Sequence, residues 1–191
     1  LFSNLTATYT RYRYQTGFRF ASTLIEGADT TNLASDATFR SGIQEWGTVG
    51  QLDFYPGPSH AIKLGGEAKY YRFSPGRSRL TLNDQTGRDT TIGSPVVPAW
   101  SVAAFVEDEW SLTPRLALQA GLRLNAYGVE DTLYPVLEPR LALRYRLGRQ
   151  TALKASFSRM SQFVHLLANN DAGFPTDLWV PSTAEVPVER A

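Results

Sequence analysis

The segment at positions 115–126, RLALQAGLRLNA, alternates strictly between two kinds of side chain. Leucine or alanine occupies every even position, whereas arginine, glutamine and asparagine share the odd positions with alanine and glycine. Successive side chains of a β-strand point to opposite faces, whereas on a helix the same spacing would scatter the apolar residues around the axis. We therefore expect a strand with one face in an apolar medium, which is either a protein core or lipid.

Composition excludes several other classes of protein. The net charge of +1 gives no electrostatic basis for binding nucleic acid, and the absence of cysteine excludes disulfides and thiol catalysis. No apolar run approaches the roughly 18 residues of a membrane-spanning helix, and the mean hydropathy is −0.25. A membrane β-barrel is compatible with both observations, because each of its alternating strands gives only a weak hydropathy signal.

Alternation and turn residues predict seven strands, at about residues 4–23, 39–55, 60–74, 99–112, 115–127, 134–147 and 151–162. Short turns occur at PGPSH, TPR and GRQ, and they alternate with longer polar connections at 26–38, 75–95 and 128–133. A tail of loop character is expected after the seventh strand. All short turns then lie at one end of the sheet, which is typical of outer-membrane barrels. The predicted fold is all-β, an antiparallel up-and-down segment of a transmembrane β-barrel.

Aromatic spacing provides a length test for this prediction. Trp100 and Trp110 are ten residues apart with the same parity, so they share a face of the fourth strand. At about 3.3 Å per residue they lie roughly 33 Å apart, which a tilt near 45° projects to about 23 Å. The apolar band of a membrane barrel is about 25 Å tall and is bounded by aromatic residues. The alternative is a pair of core tryptophans in a soluble sheet. The predicted lipid-interface aromatics are Trp46, Trp100, Trp110 and Tyr145.

The opposite face of these strands carries too many charges for a dry core, because burying unpaired charges is costly. A hydrated lumen or the surface of a plug that fills the barrel would tolerate them. Soluble sheets with one solvated face also show this pattern, and in the first strand Tyr, Arg and Thr occupy both faces. The predicted lumen-facing and plug-facing residues are Glu45, Asp53, Lys63, Glu67, Lys69, Glu107, Glu109, Arg123, Arg140, Arg144 and Lys154.

Seven strands do not make a closed barrel, since single-chain bacterial barrels have even strand counts that begin at eight. The opening residues, LFSNLTATYT, also lack the basic start and apolar core of a signal peptide. We therefore expect residues 1–191 to be a portion of a larger barrel domain, with any signal peptide and plug domain outside this chain.

Several motifs resemble TonB-dependent outer-membrane receptors, particularly their Bacteroidetes-like branch. These motifs are DFYPGPSHAIKLGGEAKYYRFSPG, EDEW before a tight turn and a GLR strand, PRLALRY, KASFSRM and FPTDLWVPST. The resemblance implies a bacterial outer-membrane barrel of about 22 strands around an N-terminal plug. It also implies import of a scarce nutrient, such as a siderophore, cobalamin-like, glycan or peptide ligand, with energy delivered through TonB. The implied partners are outer-membrane lipid, the plug and TonB, and no cofactor is implied.

No catalytic set is evident, so we do not expect an enzyme. The paired carboxylates Glu107 and Glu109 are better explained by salt bridges to a plug, and His60 by its place in a turn. The segment HLLANNDAGFPTDLW is expected at the long-loop end, where it would either contact ligand or pack on itself around Leu166, Leu167, Phe174 and Trp179. The candidate ligand-contacting residues are His165, Asn169, Asn170, Asp171, Asp177 and Trp179.

Two other functions remain open at this point. A diffusive porin-type channel would share the barrel but would lack coupling to TonB. A soluble β-sandwich binding module would instead bury Leu118, Leu122 and Trp100 against a second sheet.

Overall fold

The computed structural model describes residues 1–26, 29–83, 88–169 and 176–191, and it leaves out the side chains at 24–33, 82–88 and 168–177. Twelve strands and no helix occur in these residues. The sheet contains β1 (Phe2–Glu26), β2 (Asp29–Gly57), β3 (His60–Asn83), β4 (Arg88–Gly93), β5 (Val97–Thr113), β6 (Leu116–Val129), β7 (Thr132–Arg146) and β8 (Ala152–Ser158). The tail contains β9 (Ser161–Gln162), β10 (Val164–Asn169), β11 (Thr176–Pro181) and β12 (Glu189–Arg190).

Seven strands form one curled antiparallel sheet in the order β1-β2-β3-β5-β6-β7-β8, and β4 pairs only with the far half of β3. Each strand of this order pairs with the next member of the order, and only β4 intervenes along the chain, between β3 and β5. This is the up-and-down arrangement that the alternation and turns predict. The predicted fold class is therefore confirmed as a partial β-barrel sheet.

Two stretches that were expected to be long loops are instead extensions of the hairpins. β1 and β2 stay in register as far as Glu26 and Asp29, and β3 pairs with β4 from Arg77 to Leu82. The sequences of these stretches are rich in threonine, serine and aspartate, so they lack the sustained apolar alternation that identifies a strand with one buried face. The threonines in them favour an extended backbone. The expected medium connection at 128–133 is also shorter, because Val129 already pairs with Thr132.

The two faces of the sheet differ sharply in exposure. On β5, Trp100 is 44% exposed, while its neighbour Ala99 is 1% exposed. We call the face with Trp100 the outer face and the face with Ala99 the inner face. Leu122 on β6 is 45% exposed on the outer face, and no second layer of described residues covers it. The structure therefore contradicts the β-sandwich alternative.

Strand register also settles the faces of the first strand, which the sequence left ambiguous. Tyr9 lies opposite Trp46 and Leu5 lies opposite Gly50, so both belong to the outer face. Tyr12 and Tyr14 alternate with them and belong to the inner face. The composition of β1 hides this assignment, because Tyr and Thr occur on both faces. Its arginines, Arg11, Arg13 and Arg19, all lie on the outer face.

The buried core lies on the inner face, at the end of the sheet that carries the long hairpins. Phe73 and Tyr127 are fully buried there, and Phe163 of the tail stacks on Tyr127 with 4.6 Å between ring centroids. The tail thus folds back onto the inner face. It contains the β10–β11 hairpin, where the sequence predicts only loop. The buried residues of this cluster are Tyr71, Phe73, Ala99, Tyr127, Val129, Val136 and Phe163.

Candidate functional site

A chain of five alternating charges crosses the middle of the inner face. Lys69 on β3 lies 3.2 Å from Glu67 and 3.7 Å from Glu45, measured from Nζ to the nearest carboxylate oxygens. Arg123 on β6 places Nη2 at 3.1 Å from Glu67 Oε2 and Nε at 3.7 Å from Glu138 Oε2. All five side chains are largely shielded from solvent. We call this set the inner-face network.

The network connects β3 with β6, although β5 lies between these two strands. The small side chain of Ala103, on the inner face of β5, explains how the contact is made. Glu67 on β3 and Asn125 on β6 both lie opposite Ala103 of β5. Because alanine leaves the space above β5 open, Arg123 can cross it and reach Glu67. Its guanidinium also lies 5.9 Å from the ring centre of Phe105, within the range of a cation–π contact.

Glu138 was not among the predicted site residues, although its strand alternates clearly. Besides its contact with Arg123, it accepts a hydrogen bond of 2.9 Å from the backbone N–H of Ser161. Glu138 therefore links the wall to the start of the tail. The sequence gives no sign of this link, because it depends on where the tail folds.

The other predicted inner-face residues lie nearer the short turns. Asp53 accepts hydrogen bonds of 3.0 and 3.2 Å from Gln51 Nε2, and Glu107 accepts one of 2.8 Å from Gln119 Nε2. Arg144 lies directly opposite Lys154. Register places the full predicted set on the inner face: Glu45, Asp53, Lys63, Glu67, Lys69, Glu107, Glu109, Arg123, Arg140, Arg144 and Lys154.

The inner-face network and the residues nearer the turns thus form one polar wall. Its cations and carboxylates face a space that the described residues leave open along most of β5–β8. Such a wall suits contact with water or with another polar protein surface.

The outer face carries two aromatic levels. At the long-hairpin end, Tyr9, Trp46, Tyr70 and Trp100 lie directly opposite one another on β1, β2, β3 and β5. Ring centroids are 5.3 Å apart for Tyr9–Trp46 and 5.8 Å apart for Trp46–Tyr70. We call these four residues the aromatic row. It ends at Gly128, over which the ring of Trp100 lies so closely that any Cβ would overlap it.

At the short-turn end, Trp110 stacks on His60 with 5.3 Å between ring centroids. His60 Nδ1 lies 2.7 Å from Asp108 Oδ2, so the one carboxylate that interrupts the apolar side of β5 has a partner. His60 begins β3 and is not simply a turn residue. The fourth predicted interface aromatic, Tyr145, also lies exposed on the outer face, opposite Leu116 and Leu153.

The predicted ligand-contacting residues of the tail do not form one open cluster. His165 is buried, with Nε2 at 2.7 Å from Ser182 Oγ and Nδ1 at 3.7 Å from Glu189 Oε1. Trp179 packs edge-on against Tyr12 of the inner face at 5.7 Å. Asn170 and Asp171 lie outside the described residues, as do the side chains of Asn169 and Asp177.

The packing of the tail also differs from the expected self-packed loop. Leu166 and Leu167 are each about half exposed, whereas Phe163 and Trp179 contact the sheet. Of the predicted packing residues, Trp179 thus anchors the tail to the wall, where Phe163 adds a second anchor, and Phe174 lies outside the described residues.

Neither metal ligands nor a membrane helix is present in the part of the chain that the structure describes. Its His, Asp and Glu side chains nowhere form a group of three that could hold a metal ion. The described residues include no helix with the length and apolarity needed to cross a membrane.

Comparison with known proteins finds a family match over most of the chain. The family model described as "TonB dependent receptor-like, beta-barrel" matches residues 1–177. A solved structure titled "Structure of the FpvAI-pyocin S2 complex" contains a similar chain, with 13% sequence identity and a TM-score of 0.45. The similarity covers 82% of this chain and 24% of that one, so this chain spans about a quarter of its length. No curated protein matches by sequence.

Proposed function

Because this chain belongs to the TonB-dependent receptor-like β-barrel family, we propose that it forms part of the wall of an outer-membrane receptor that imports a scarce nutrient. Family membership indicates a receptor or transporter and not an enzyme. The observation that carries the proposal is the contrast between faces, with exposed apolar residues bounded by aromatic levels outside and paired charges inside.

The outer face has the dimensions of a lipid contact. Trp100 of the aromatic row and Trp110 of the lower level lie on one strand, and exposed Val102 and Val106 lie between them. A patch this apolar would be a liability on a soluble monomer. In a bilayer the same residues face hydrocarbon, and the rings at either end lie at the interfaces with the headgroups.

The inner face has the properties of a surface that another polar domain covers. In a membrane barrel of this family, the inner-face network would meet the plug of the full-length protein. Three carboxylates and two cations are already paired there. The wall can therefore form hydrogen bonds with a plug without presenting a large unpaired charge to it. Arg140, Arg144 and Lys154 add cations nearer the short turns, where an acidic region of the plug would fit.

We further propose that ligand enters at the long-hairpin end and that TonB acts through the plug. The nutrient would be a siderophore, a cobalamin-like cofactor, a glycan or a peptide. His165 is buried and lies within hydrogen-bond distance of Ser182, so it is not available to a ligand. We therefore assign ligand contact within the tail mainly to Asn169, Asn170, Asp171 and Asp177, and this assignment remains a prediction. Trp179, which packs on Tyr12, would support this segment.

Membrane extraction of the full-length protein tests the location. We expect the protein in the outer-membrane fraction, soluble only with detergent, and migrating differently in unboiled and boiled samples during SDS electrophoresis. Recovery as a monomer from the soluble fraction would contradict the proposal.

Nutrient uptake tests the transport function. A strain lacking the protein should lose uptake of one of four labelled probes: a ferric siderophore, cobalamin, an oligosaccharide or a peptide. Restoring the gene should restore uptake only when TonB is functional. Uptake that persists without TonB would identify a diffusive porin-type channel, the alternative that shares the barrel.

A further inference from the structure

Five arginines lie together on the outer face, just beyond the aromatic row toward the long-hairpin end. Arg11 and Arg13 follow Tyr9 on β1 at the next two positions of the same face, about 7 Å and 13 Å further along the strand. Arg72 holds the equivalent place after Tyr70 on β3, level with Arg11, and Arg40 and Arg77 lie opposite each other one step beyond Arg13. We call these five residues the arginine belt.

None of the five arginines of the belt has a charged partner among the described residues. Arg11, Arg13, Arg72 and Arg77 form neither ion pairs nor side-chain hydrogen bonds there, and Arg40 donates only to the neutral Gln15, at 3.1 Å. Arginines elsewhere on these hairpins are neutralised instead.

Arg19 pairs with Asp36 at 2.7 Å, and Arg79 pairs with Asp89. The same hairpins therefore place an aspartate beside each of these two arginines but place no aspartate beside the arginines of the belt. The result is a local excess of positive charge that is not neutralised within the chain.

The belt also has a shape that suits an anionic group. Arg11, Arg13, Arg40 and Arg77 line a recess of about 280 Å³, together with Ser74, Ser94 and the apolar residues Ile43 and Val96. The register shift in β2–β3 pairing between Arg40 and Gly42 opens this recess. Guanidinium groups bind phosphate oxygens through two parallel hydrogen bonds, and several of them can share one phosphate.

We propose that the arginine belt binds the phosphate groups of a lipid headgroup in the membrane leaflet at the long-hairpin end. This inference rests on the proposed function, because the aromatic row marks the level of the headgroups only if the outer face meets lipid. Arg11 and Arg72 lie one residue pair above that row, Arg13 two, and Arg40 and Arg77 three, so the belt begins at the height of the phosphates and continues above it. Each such arginine strengthens binding to an anionic lipid surface.

Native mass spectrometry of the full-length protein tests the belt directly. The protein is delipidated in a zwitterionic detergent and titrated with diphosphorylated lipid A, and the bound lipid is counted. We expect retention by the wild type. Binding by the variant R11Q/R13Q/R72Q should be roughly tenfold to hundredfold weaker, on the basis of the usual contribution of each cation.

A matched variant controls for loss of charge. R115Q/R146Q/R149Q removes three exposed arginines at the short-turn end and should bind the lipid as the wild type does. The variant R11K/R13K/R72K keeps the charge but lacks the guanidinium fork. Its affinity for the lipid should therefore lie between those of the wild type and R11Q/R13Q/R72Q. If the two glutamine variants lose lipid equally, or if neither loses it, the belt is not a specific site.

Two further probes separate the possible sources of phosphate. Dephosphorylated lipid A should not be retained, and millimolar inorganic phosphate should not displace the diphosphorylated lipid. Equal retention of the dephosphorylated lipid overturns the role of phosphate, and displacement by inorganic phosphate shows that the belt takes a free anion. Failure of the protein to enter membranes would instead overturn the proposed function, which the extraction experiment detects separately.

Discussion

Arg123 on β6 crosses the neighbouring strand and binds Glu67 on β3, with 3.1 Å between Nη2 and Oε2. The pair connects two strands that share no backbone hydrogen bonds, and it does so on the face that we assign to the plug. The inner wall is therefore held together by side chains as well as by its ladder of backbone pairs.

Replacing Arg123 with glutamine should destabilise the wall by about 2 kcal/mol, because it leaves Glu67 and Glu138 shielded from water without their cation. Urea unfolding of the refolded full-length protein in detergent measures this loss. The double variant E67Q/R123Q should lose less than the sum of its two single variants, because the charges interact. Strict additivity would show that the contact contributes nothing.

Introducing a methyl group at Gly128 should disturb Trp100, because a Cβ there would overlap the indole ring. We expect Gly128→Ala to lower the unfolding midpoint and to change the near-ultraviolet circular dichroism of the tryptophans. Gly148→Ala is the matched control, since nothing lies within 4 Å of its Cβ position. If both variants behave alike, Trp100 does not lie over Gly128.

Acid should loosen the β3–β4 hairpin through Asp89. The hydrogen bonds from Arg79, at 3.0 Å from its Nε, hold the pKa of Asp89 below its ordinary value. A carboxyl whose pKa is lower in the folded state stabilises the fold above its unfolded pKa near 4, and it loses this contribution as pH falls through the folded value.

Amide hydrogen exchange in β4 measures this effect. Protection should hold from pH 7 to about pH 5 and should decrease below about pH 4. High salt should weaken the effect, because the pair is exposed. The variant Asp89→Asn should lack this loss of protection in acid. If its protection falls with pH as in the wild type, Asp89 does not have the proposed role.

Truncating Phe163 should release the tail from the wall. Phe163→Ala removes the ring that stacks on Tyr127, and truncating a buried phenylalanine typically costs about 3–5 kcal/mol. Limited proteolysis should then cut within residues 164–191 at a higher rate. Leu167→Ala, on the exposed side of β10, should leave the rate unchanged. Equal rates for the two variants would show that Phe163 is not the anchor.

Alternation along the strands was sufficient to predict the seven-stranded order and the faces of β2, β3 and β5 to β7. Leu118, Leu122 and Leu124 have the parity that the structure assigns to the outer face, because one apolar medium imposes a single period of two. The hairpin extensions near Thr30 and Thr90 could not be recognised in this way. Their sequences are rich in polar residues, so they carry no sustained apolar alternation.

Contacts that depend on three-dimensional folding were also beyond the sequence. The partners of His165 are Ser182, which is close because β10 pairs with β11, and Glu189, which is close because β9 pairs with β12. Glu138 contacts Ser161 only because the tail folds onto the wall. Local patterns do not encode such distant pairings, whereas the parity of a charged residue within its own strand is a local property.

The strand β3 exchanges one partner for another along its length. It pairs with β5 as far as Phe73 and with β4 from Arg77 onward, while β1 and β2 continue beside it without a break in their mutual register. From Tyr9 to Thr23, β1 extends about 45 Å past the aromatic row. If the bilayer surface lies at that row, this ribbon projects rigidly beyond the membrane. A molecule that binds to its upper part is then held at a fixed height above the lipid.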